Sequence, residues 1–145
     1  MATNAQVPRR WNVEIDGIRW LPRLIDKARM RANGQLGTYL LGHSPVDKAF
    51  LERAGVTTEE FASIVSASAG DEAVLSALRA RPGWNEERLR RWSARFTKTY
   101  RLYIPMWDLD EGYLRPTSLQ AVGMKMFKPI EAPVMGLVRR FRRAP

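Results

Sequence analysis

The only histidine of the chain, His43, stands beside Ser44 and shortly before Asp47, so the residue types of a hydrolytic triad occur together. A triad needs a base within hydrogen-bond reach of the nucleophile and a third group that orients the base, which adjacent residues of one tight turn rarely provide. The chain also has no Gly-x-Ser-x-Gly sequence, the setting of many nucleophilic serines. The pattern therefore favours Ser44 as the cap of a helix and His43 as a loop residue.

Metal and nucleotide sites are not predicted either. With one histidine and no cysteine, the chain offers few ligands for a transition metal. Asp108, Asp110 and Glu111 precede Gly112, but the spacing and closing glutamate of a calcium loop are missing, which favours a solvated acidic turn. No glycine-rich loop leads to a Lys-Ser or Lys-Thr pair that would hold nucleotide phosphates.

Carboxylate pairs leave one catalytic alternative open. Glu14, Asp16, Asp26 and Asp47 could meet in space as a general acid and base, with a ligand pocket near the loop of residues 34–47. Nothing in their spacing marks them, so a small-molecule enzyme of unknown reaction is the least favoured interpretation. The sequence predicts a non-catalytic protein, with no catalytic residue, cofactor or metal.

Positive charge is the strongest chemical feature, and the last 25 residues carry more than half of the excess. They contain six basic residues and one acid, a net charge of +5 in a chain whose net charge is +9. On a helical wheel the apolar residues from 134 to 141 share an arc of about 100°, and the arginines occupy the other side. Near an anionic lipid leaflet each basic residue contributes about 1 kcal/mol, which suffices for reversible binding. A basic C-terminus that only improves solubility is the alternative.

The extension from residue 104 onward also has many aromatic, methionine and arginine side chains, which are enriched in protein interfaces. The residues predicted to dock on a partner or a membrane are Trp107, Met124, Lys125, Met126, Phe127, Lys128, Val134, Leu137, Val138, Arg139, Arg140, Phe141, Arg142 and Arg143.

A second basic surface is the basis of an alternative function, the binding of RNA or DNA. It consists of four residues on one arc of a predicted helix, Arg88, Arg91, Arg95 and Lys98, which we call the basic stripe. Base stacking would need exposed aromatic rings as well. Trp92 and Tyr100 fall on the opposite, core-facing arc of the same helix, so their rings are not expected to stack on bases.

Apolar periodicity and capping residues predict a mainly α-helical fold, a compact bundle of four to five short helices with an extended N-terminal arm and a long irregular C-terminal extension. The predicted helices begin at or near Pro22, Ser44, Thr57, Asp71 and Asn85. The last of them is the longest and runs to about residue 101. One short strand is predicted over residues 13–18, and the proline-rich chain after Tyr103 is expected to run extended.

The same patterns predict three parts: an N-terminal arm (1–17, flexible over 1–12), a helical domain (18–103), and a basic extension rich in proline, methionine and arginine (104–145). Cysteine is absent, so no disulfide is expected. No run of 18 uncharged apolar residues is present, and the N-terminus lacks the apolar segment of a signal peptide. We therefore expect a cytoplasmic protein whose membrane contact, if any, is peripheral.

Three strings of this sequence are similar to one bacterial family. Residues 23–29 read Arg-Leu-Ile-Asp-Lys-Ala-Arg, residues 34–39 read Gly-Gln-Leu-Gly-Thr-Tyr, and residues 44–47 read Ser-Pro-Val-Asp. With these strings, residues 18–95 resemble the family known as domain of unknown function 5069. The resemblance implies a small, mainly helical bacterial domain and assigns no reaction. The chain beyond about Tyr103 is interpreted as an addition to the family's domain.

Together these features predict a non-catalytic accessory protein. The expected role is a peripheral, cytoplasmic-side subunit that docks on a membrane-associated complex, for example a respiratory or photosynthetic one, or on another anionic surface. The partner would be a larger protein complex or an anionic membrane, and nucleic acid is the alternative.

Overall fold

The computed structural model of the chain describes residues 6–114. Within this range the polypeptide forms seven helices and one two-stranded sheet, and it divides into two units between Tyr100 and Arg101. The strands are β1 (Glu14–Ile15) and β2 (Ile18–Arg19), and the helices are α1 (Leu21–Ala32), α2 (Pro45–Ala54), α3 (Thr58–Ala67), α4 (Asp71–Arg79), α5 (Glu86–Ala94), α6 (Phe96–Thr99) and α7 (Ile104–Asp110). The predicted mainly α-helical fold is confirmed.

A tight hairpin occupies the segment for which a single strand was predicted. β1 and β2 pair antiparallel, with Ile15 opposite Ile18. Asp16 and Gly17 lie between the strands with φ values of 49° and 78°, as the two central residues of a type I′ turn require. The Asp-Gly dipeptide is the sequence signal for this turn. Trp20 follows with a φ of 71° and leads the chain into α1.

Side-chain caps fix the starts of α2, α3 and α5 where the sequence predicts them. Ser44 Oγ accepts a hydrogen bond from the Asp47 backbone N–H at 3.1 Å. Thr57 and Glu60 form a reciprocal capping box, with distances of 3.1 and 2.9 Å. The Asn85 side chain accepts from the backbone three residues later at 3.0 Å. These caps satisfy backbone donors that have no partner inside the helix.

Asp71, by contrast, does not cap α4 as predicted. Gly70 occupies the N-cap position, and no side chain caps the helix there. The Asp71 carboxylate instead faces the guanidinium groups of Arg9 and Arg29, at 2.5 and 3.2 Å. The carboxylate is therefore engaged by guanidinium groups of two other parts of the chain, and these ion pairs take the place of the predicted cap.

The long helix predicted from Asn85 is interrupted. α5 ends at Ala94, and the Arg95 N–H donates to the carbonyls of both Arg91 and Trp92, at 3.3 and 3.2 Å. Shared bonds of this kind are common at helix ends. The four-residue α6 follows directly. The predicted helix is therefore two shorter ones.

A further helix, α7, lies where irregular chain and a solvated acidic turn were predicted. The N–H of Tyr113 donates to the carbonyl of Asp108 at 2.7 Å, and the N–H of Gly112 donates to that of Leu109 at 3.3 Å. With Gly112 at a φ of 81°, this is a Schellman motif. The acidic residues thus belong to the end of a helix. Pro105 is compatible with α7 because it lies in the first turn.

The core of residues 6–100 combines aliphatic side chains of α1 with an aromatic cluster. Leu21, Leu24 and Ile25 of α1 are fully buried, as their spacing predicts. The rings of Trp92 and Phe96 meet edge to face, with centroids 5.2 Å apart. Aromatic pairs in this geometry contribute about 0.5–1.5 kcal/mol beyond their burial.

The helical wheel is confirmed for Trp92 and Tyr100, which are 7% and 9% exposed. The Trp92 indole N–H donates to the Tyr100 hydroxyl at 3.3 Å. Tyr103, predicted on the same arc, lies in the second unit and is 46% exposed. The arc ends earlier than predicted because α6 stops at Thr99.

Candidate functional site

A buried ion pair joins α1 to the first turn of α2. Lys27 Nζ lies 2.7 Å from each carboxylate oxygen of Asp47, and the two side chains are 4% and 0% exposed. The Trp20 indole N–H donates to one of these oxygens at 2.8 Å, and the backbone N–H of Gly42 donates to the other at 2.9 Å. Each oxygen therefore accepts two hydrogen bonds. A buried charge is tolerated only when it is paired and hydrogen-bonded in this way.

A second buried cation, Arg23, lies one helical turn before Lys27. Its Nη1 donates to the backbone carbonyl of Arg9 at 3.2 Å. Its guanidinium carbon lies 5.1 Å from the ring centroid of Trp20 and 5.7 Å from that of Tyr39. Lys27 Nζ is 5.4 Å from the Trp20 centroid. The indole is therefore held by two cations in addition to its hydrogen bond, which explains how so large a residue keeps a positive φ.

Arg9 fastens the N-terminal arm to α1 and α4. Its Nε and Nη2 donate to the Asp26 carboxylate at 2.9 and 3.0 Å, and its Nη1 donates to Asp71 at 2.5 Å. The hydrogen bond from Arg9 holds the pKa of Asp71 below its ordinary value, and the same bond raises the pKa of Arg9. The arm was predicted to be flexible, but its described part is anchored by these ion pairs.

The carboxylates considered for acid–base catalysis each contact a different cation. These pairs are Glu14 with Arg19, Asp16 with Arg79, Asp26 with Arg9, and Asp47 with Lys27. No contact between two of these carboxylates supports an acid–base pair within residues 6–114. The predicted role of Ser44 as a helix cap is confirmed by its bond to the backbone of α2.

A shallow groove lies between α1 and α3 and is open to solvent. Small side chains line most of it, including Ala28, Ala62 and Ser63, and the ion pair of Arg31 with Glu59 lies at its side. Across the part of the chain that the structure describes, no three histidine, aspartate or glutamate side chains are arranged to hold a metal ion. The groove is therefore a cleft lined mostly by small side chains and not a cluster of groups suited to catalysis.

The basic stripe is exposed along α5 and α6. Arg91 pairs with Glu87 at 3.0 Å, but both side chains are more than two-thirds exposed, so the pair contributes little to stability. Arg88, Arg95 and Lys98 make no ion pair with any other described residue. The stripe is therefore a net positive surface.

Of the residues predicted to dock, Trp107 alone lies within the described residues. It is half-buried in α7, and its ring stacks on that of Tyr103 with centroids 5.9 Å apart. Large apolar side chains near it in the chain are exposed, notably Leu102 at 76% and Tyr113 at 47%. The other predicted docking residues, from Met124 to Arg143, lie outside the described residues.

One family model matches residues 5–112, that of domain of unknown function 5069 (DUF5069). The chain belongs to this family. The match confirms the suspected resemblance and extends it beyond residues 18–95 at both ends, so the anchored arm and α7 are part of the DUF5069 domain. The chain that follows residue 112 lies outside the match, later than the predicted boundary near Tyr103. No curated protein matches the chain.

Within residues 6–114 no helix is long and apolar enough to cross a lipid bilayer. Sequence reasoning missed the buried cations of α1, because a lysine or arginine beside an apolar stripe is usually solvated. It also missed Trp11, which it assigned to the flexible arm. The burial of the α1 cations depends on partners in other parts of the chain. The spacing of residues within α1 does not show which partners these are.

Proposed function

We propose that this DUF5069 protein is a non-catalytic accessory protein that docks through its C-terminal extension onto an anionic surface. The observation that carries the proposal is the net charge of +5 on the last 25 residues. Opposite charge attracts such a segment to acidic lipid headgroups or to an acidic protein, and the apolar arc of residues 134–141 adds hydrophobic binding.

Exposed apolar residues that precede the basic segment support the same proposal. Leu102, Tyr103 and Tyr113 are 76%, 46% and 47% exposed, whereas the core aromatic residues of the first unit are almost fully buried. Tyrosine and tryptophan are enriched at interfaces because one end of each side chain is apolar and the other forms hydrogen bonds. Exposed aromatic residues therefore precede the basic segment along the chain.

The ion pairing of these carboxylates favours docking over catalysis. Lys27 and Asp47 satisfy each other, and Asp26 and Asp71 are occupied by Arg9. A general acid or base must be able to reach a substrate atom, which these groups do not do in their present contacts. Their contacts instead hold α1, α2, α4 and the arm together.

The host that best fits this chemistry is a membrane-associated complex, with the protein bound peripherally on its cytoplasmic side. Respiratory and photosynthetic assemblies are two such hosts. A peripheral subunit needs no transmembrane segment of its own, and a basic segment next to an anionic leaflet supplies affinity that salt weakens.

The test is co-sedimentation of the full chain with vesicles of phosphatidylcholine and phosphatidylglycerol, and with native membranes, at low and high salt. We expect deletion of residues 134–145, or replacement of the four terminal arginines by glutamate, to abolish association. The helical domain should stay folded, because the buried apolar side chains of its core lie between Ile18 and Tyr100. The matched control replaces the same arginines by lysine, which keeps the charge.

Two outcomes would contradict the proposal. One is a full chain that remains soluble with both membranes at low salt. The other is a deletion that unfolds the helical domain, which would make the extension a structural strap. The substitution Phe141→Ala separates the two kinds of surface: it should weaken lipid binding less than charge reversal does, but it should weaken binding to a protein pocket comparably.

A further inference from the structure

The basic stripe stays on one side of α5 and α6 although the two helices are separated at Arg95. The N–H of Arg95 donates to the carbonyl of Arg91 at 3.3 Å, and the N–H of Thr99 donates to that of Arg95 at 2.9 Å, so the helical spacing continues across the break. The rings of Trp92 and Phe96 are buried, with centroids 5.2 Å apart, so both helices turn the same face to the core. The four stripe residues are exposed and lie on the opposite face.

Little negative charge opposes the stripe within these two helices. Residues 86–99 include five basic residues and two acids, a net charge of +3. Glu86 is engaged by Arg79, and Glu87 is paired with Arg91. The side chains of Glu87 and Arg91 are 79% and 71% exposed, so an anionic partner can replace this carboxylate at little cost in stability. The stripe is therefore a positive surface that an anionic partner can reach.

We infer that the basic stripe binds the phosphate backbone of duplex nucleic acid and does not read the bases. Arg88 and Lys98 are ten residues apart, which corresponds to about 15 Å at the rise of 1.5 Å per residue of a helix. One strand of a duplex carries a phosphate about every 3.4 Å along the axis, so about four phosphates lie within that length. A row of four cations held on a helical surface therefore matches the charge spacing of one duplex strand.

Base stacking has no part in this binding, because the aromatic rings of this region are already in contact with other groups. Trp92 and Phe96 are buried. The ring of Trp11 lies parallel to that of Phe96, with centroids 5.9 Å apart. The guanidinium carbons of Arg10 and Arg19 lie 5.8 and 5.7 Å from the Trp11 centroid. Single strands are usually held by stacking on rings as well as by charge, so a duplex, whose bases are already stacked, fits the stripe better.

A lipid surface and an acidic protein fit the stripe less well. Peripheral insertion into a bilayer requires projecting apolar side chains. The large apolar side chains of α5 and α6, which are Leu89, Trp92 and Phe96, are all buried. An acidic protein would have to place a carboxylate opposite each cation, whereas the phosphate repeat of a duplex supplies the matching charges whatever its sequence.

The test is fluorescence anisotropy of the full chain with a labelled DNA duplex of mixed sequence, with oligo(dT) of the same length, and with polyglutamate as a competitor. The basic extension is a competing source of binding, so the parent protein for this assay has its four terminal arginines replaced by glutamine. We expect this parent to bind the duplex more tightly than oligo(dT), and to bind AT-rich and GC-rich duplexes alike. If four phosphates are contacted, raising the salt from 50 to 200 mM should weaken duplex binding by about 150-fold.

Variants assign the binding to the stripe. The substitutions Arg88→Gln, Arg95→Gln and Lys98→Gln should each reduce the slope of log affinity against log salt by about 0.9, because each removes one phosphate contact. Arg95→Lys is the matched control, since it keeps the charge and should keep the slope. Lys48→Gln removes one exposed charge from α2 and should leave the slope near that of the parent. All of these positions are exposed, and circular dichroism melts should show that the variants keep the parent's Tm.

Several results would overturn the inference. One is duplex binding that disappears when the terminal arginines are replaced, which would assign all of the affinity to the extension and leave the proposed docking untouched. Another is a set of stripe variants that keep the parent's salt slope. Oligo(dT) that binds as tightly as the duplex, polyglutamate that competes as well as unlabelled duplex, or binding of the parent to anionic vesicles alone would each show that the stripe does not select a duplex backbone.

Discussion

Removal of one partner of the Lys27–Asp47 pair should destabilise the protein strongly. In the variant Asp47→Asn the lysine keeps its buried position, 4% exposed, and loses the carboxylate that pairs with it. Breaking a buried ion pair from one side typically costs about 3–5 kcal/mol. A domain of this size loses about 4 °C in Tm per kcal/mol, so we expect a fall of about 12–20 °C.

The double variant Lys27→Met with Asp47→Asn should be more stable than the sum of its single variants predicts. It removes both charges and retains an amide oxygen, which can accept from the Trp20 indole or from the Gly42 backbone. One of these donors then lacks a partner, at a cost of about 1–3 kcal/mol. The double-mutant cycle should therefore give a favourable coupling free energy of about 2 kcal/mol, as expected for two residues in direct contact.

Thermal and urea unfolding monitored by circular dichroism measure these differences. Glu87→Gln is the matched control, because it removes a carboxylate from an ion pair whose side chains are 71% and 79% exposed, and such pairs contribute about 0.5 kcal/mol or less. The reasoning is refuted if the losses of unfolding free energy in the two single variants simply add in the double variant, or if Asp47→Asn loses less than about 1 kcal/mol. Either result would show that Lys27 and Asp47 do not stabilise the fold as a pair.

Three further predictions concern positions at which the backbone or a carboxylate is tightly constrained. Gly42→Ala should cost at least about 2 kcal/mol in unfolding free energy, because its new Cβ would lie 2.0 Å from Thr58 Oγ1 at a φ of 79°. The control is Gly37→Ala, which has a φ of 61° and no atom within 4 Å of the new Cβ, and it should cost about 1 kcal/mol. Gly55→Ala should also be severely destabilising, since its Cβ would meet the Gly83 carbonyl oxygen at 2.6 Å; a Tm within 2 °C of the wild type would contradict the close approach of these two loops. The lowered pKa of Asp71 means that its ion pair with Arg9 contributes stability above the ordinary carboxyl pKa near 4, and that this contribution is lost as the pH falls through the lowered value. In melts between pH 7 and pH 2, Asp71→Asn should therefore lower Tm at pH 7 and converge with the wild type in acid, whereas Glu72→Gln should follow the wild type throughout.

Local signals predicted most of the helices. Ser44, Thr57 and Asn85 cap where their residue types and spacing indicate, because each interaction is made within one turn of chain. Gly34 and Gly55 are local signals of the same kind, since each follows a helix with a positive φ, of 69° and 70°.

The predictions for α7 and for the β1–β2 hairpin were wrong because local sequence signals pointed to different structures. The prolines after Tyr103 predicted extended chain, but Pro105 lies in the first turn of α7, where proline is favoured, and Gly112 marks the C-terminal end of that same helix. The hairpin was missed because strands of two residues are too short to show alternation. The Asp16-Gly17 dipeptide was the better signal there.

The charged residues of α1 could not be placed by sequence reasoning. Arg23, Lys27 and Arg31 recur every four residues beside the apolar stripe, a pattern typical of a solvated face. In the structure Arg23 and Lys27 are buried, and Arg31 pairs with Glu59 on α3. Their burial depends on Asp47 and on the carbonyl of Arg9, groups that lie 20 and 14 residues away in the chain. No pattern within α1 contains that information.

This placement changes what the family-specific string of residues 23–29 means. Its four charged residues, Arg23, Asp26, Lys27 and Arg29, all take part in contacts that hold α1 to the arm, to α2 or to α4. A string that distinguishes the DUF5069 domain by such contacts specifies how the domain folds and does not identify a substrate. A surface that a partner can reach therefore lies outside that string, on the exposed basic stripe of α5 and α6.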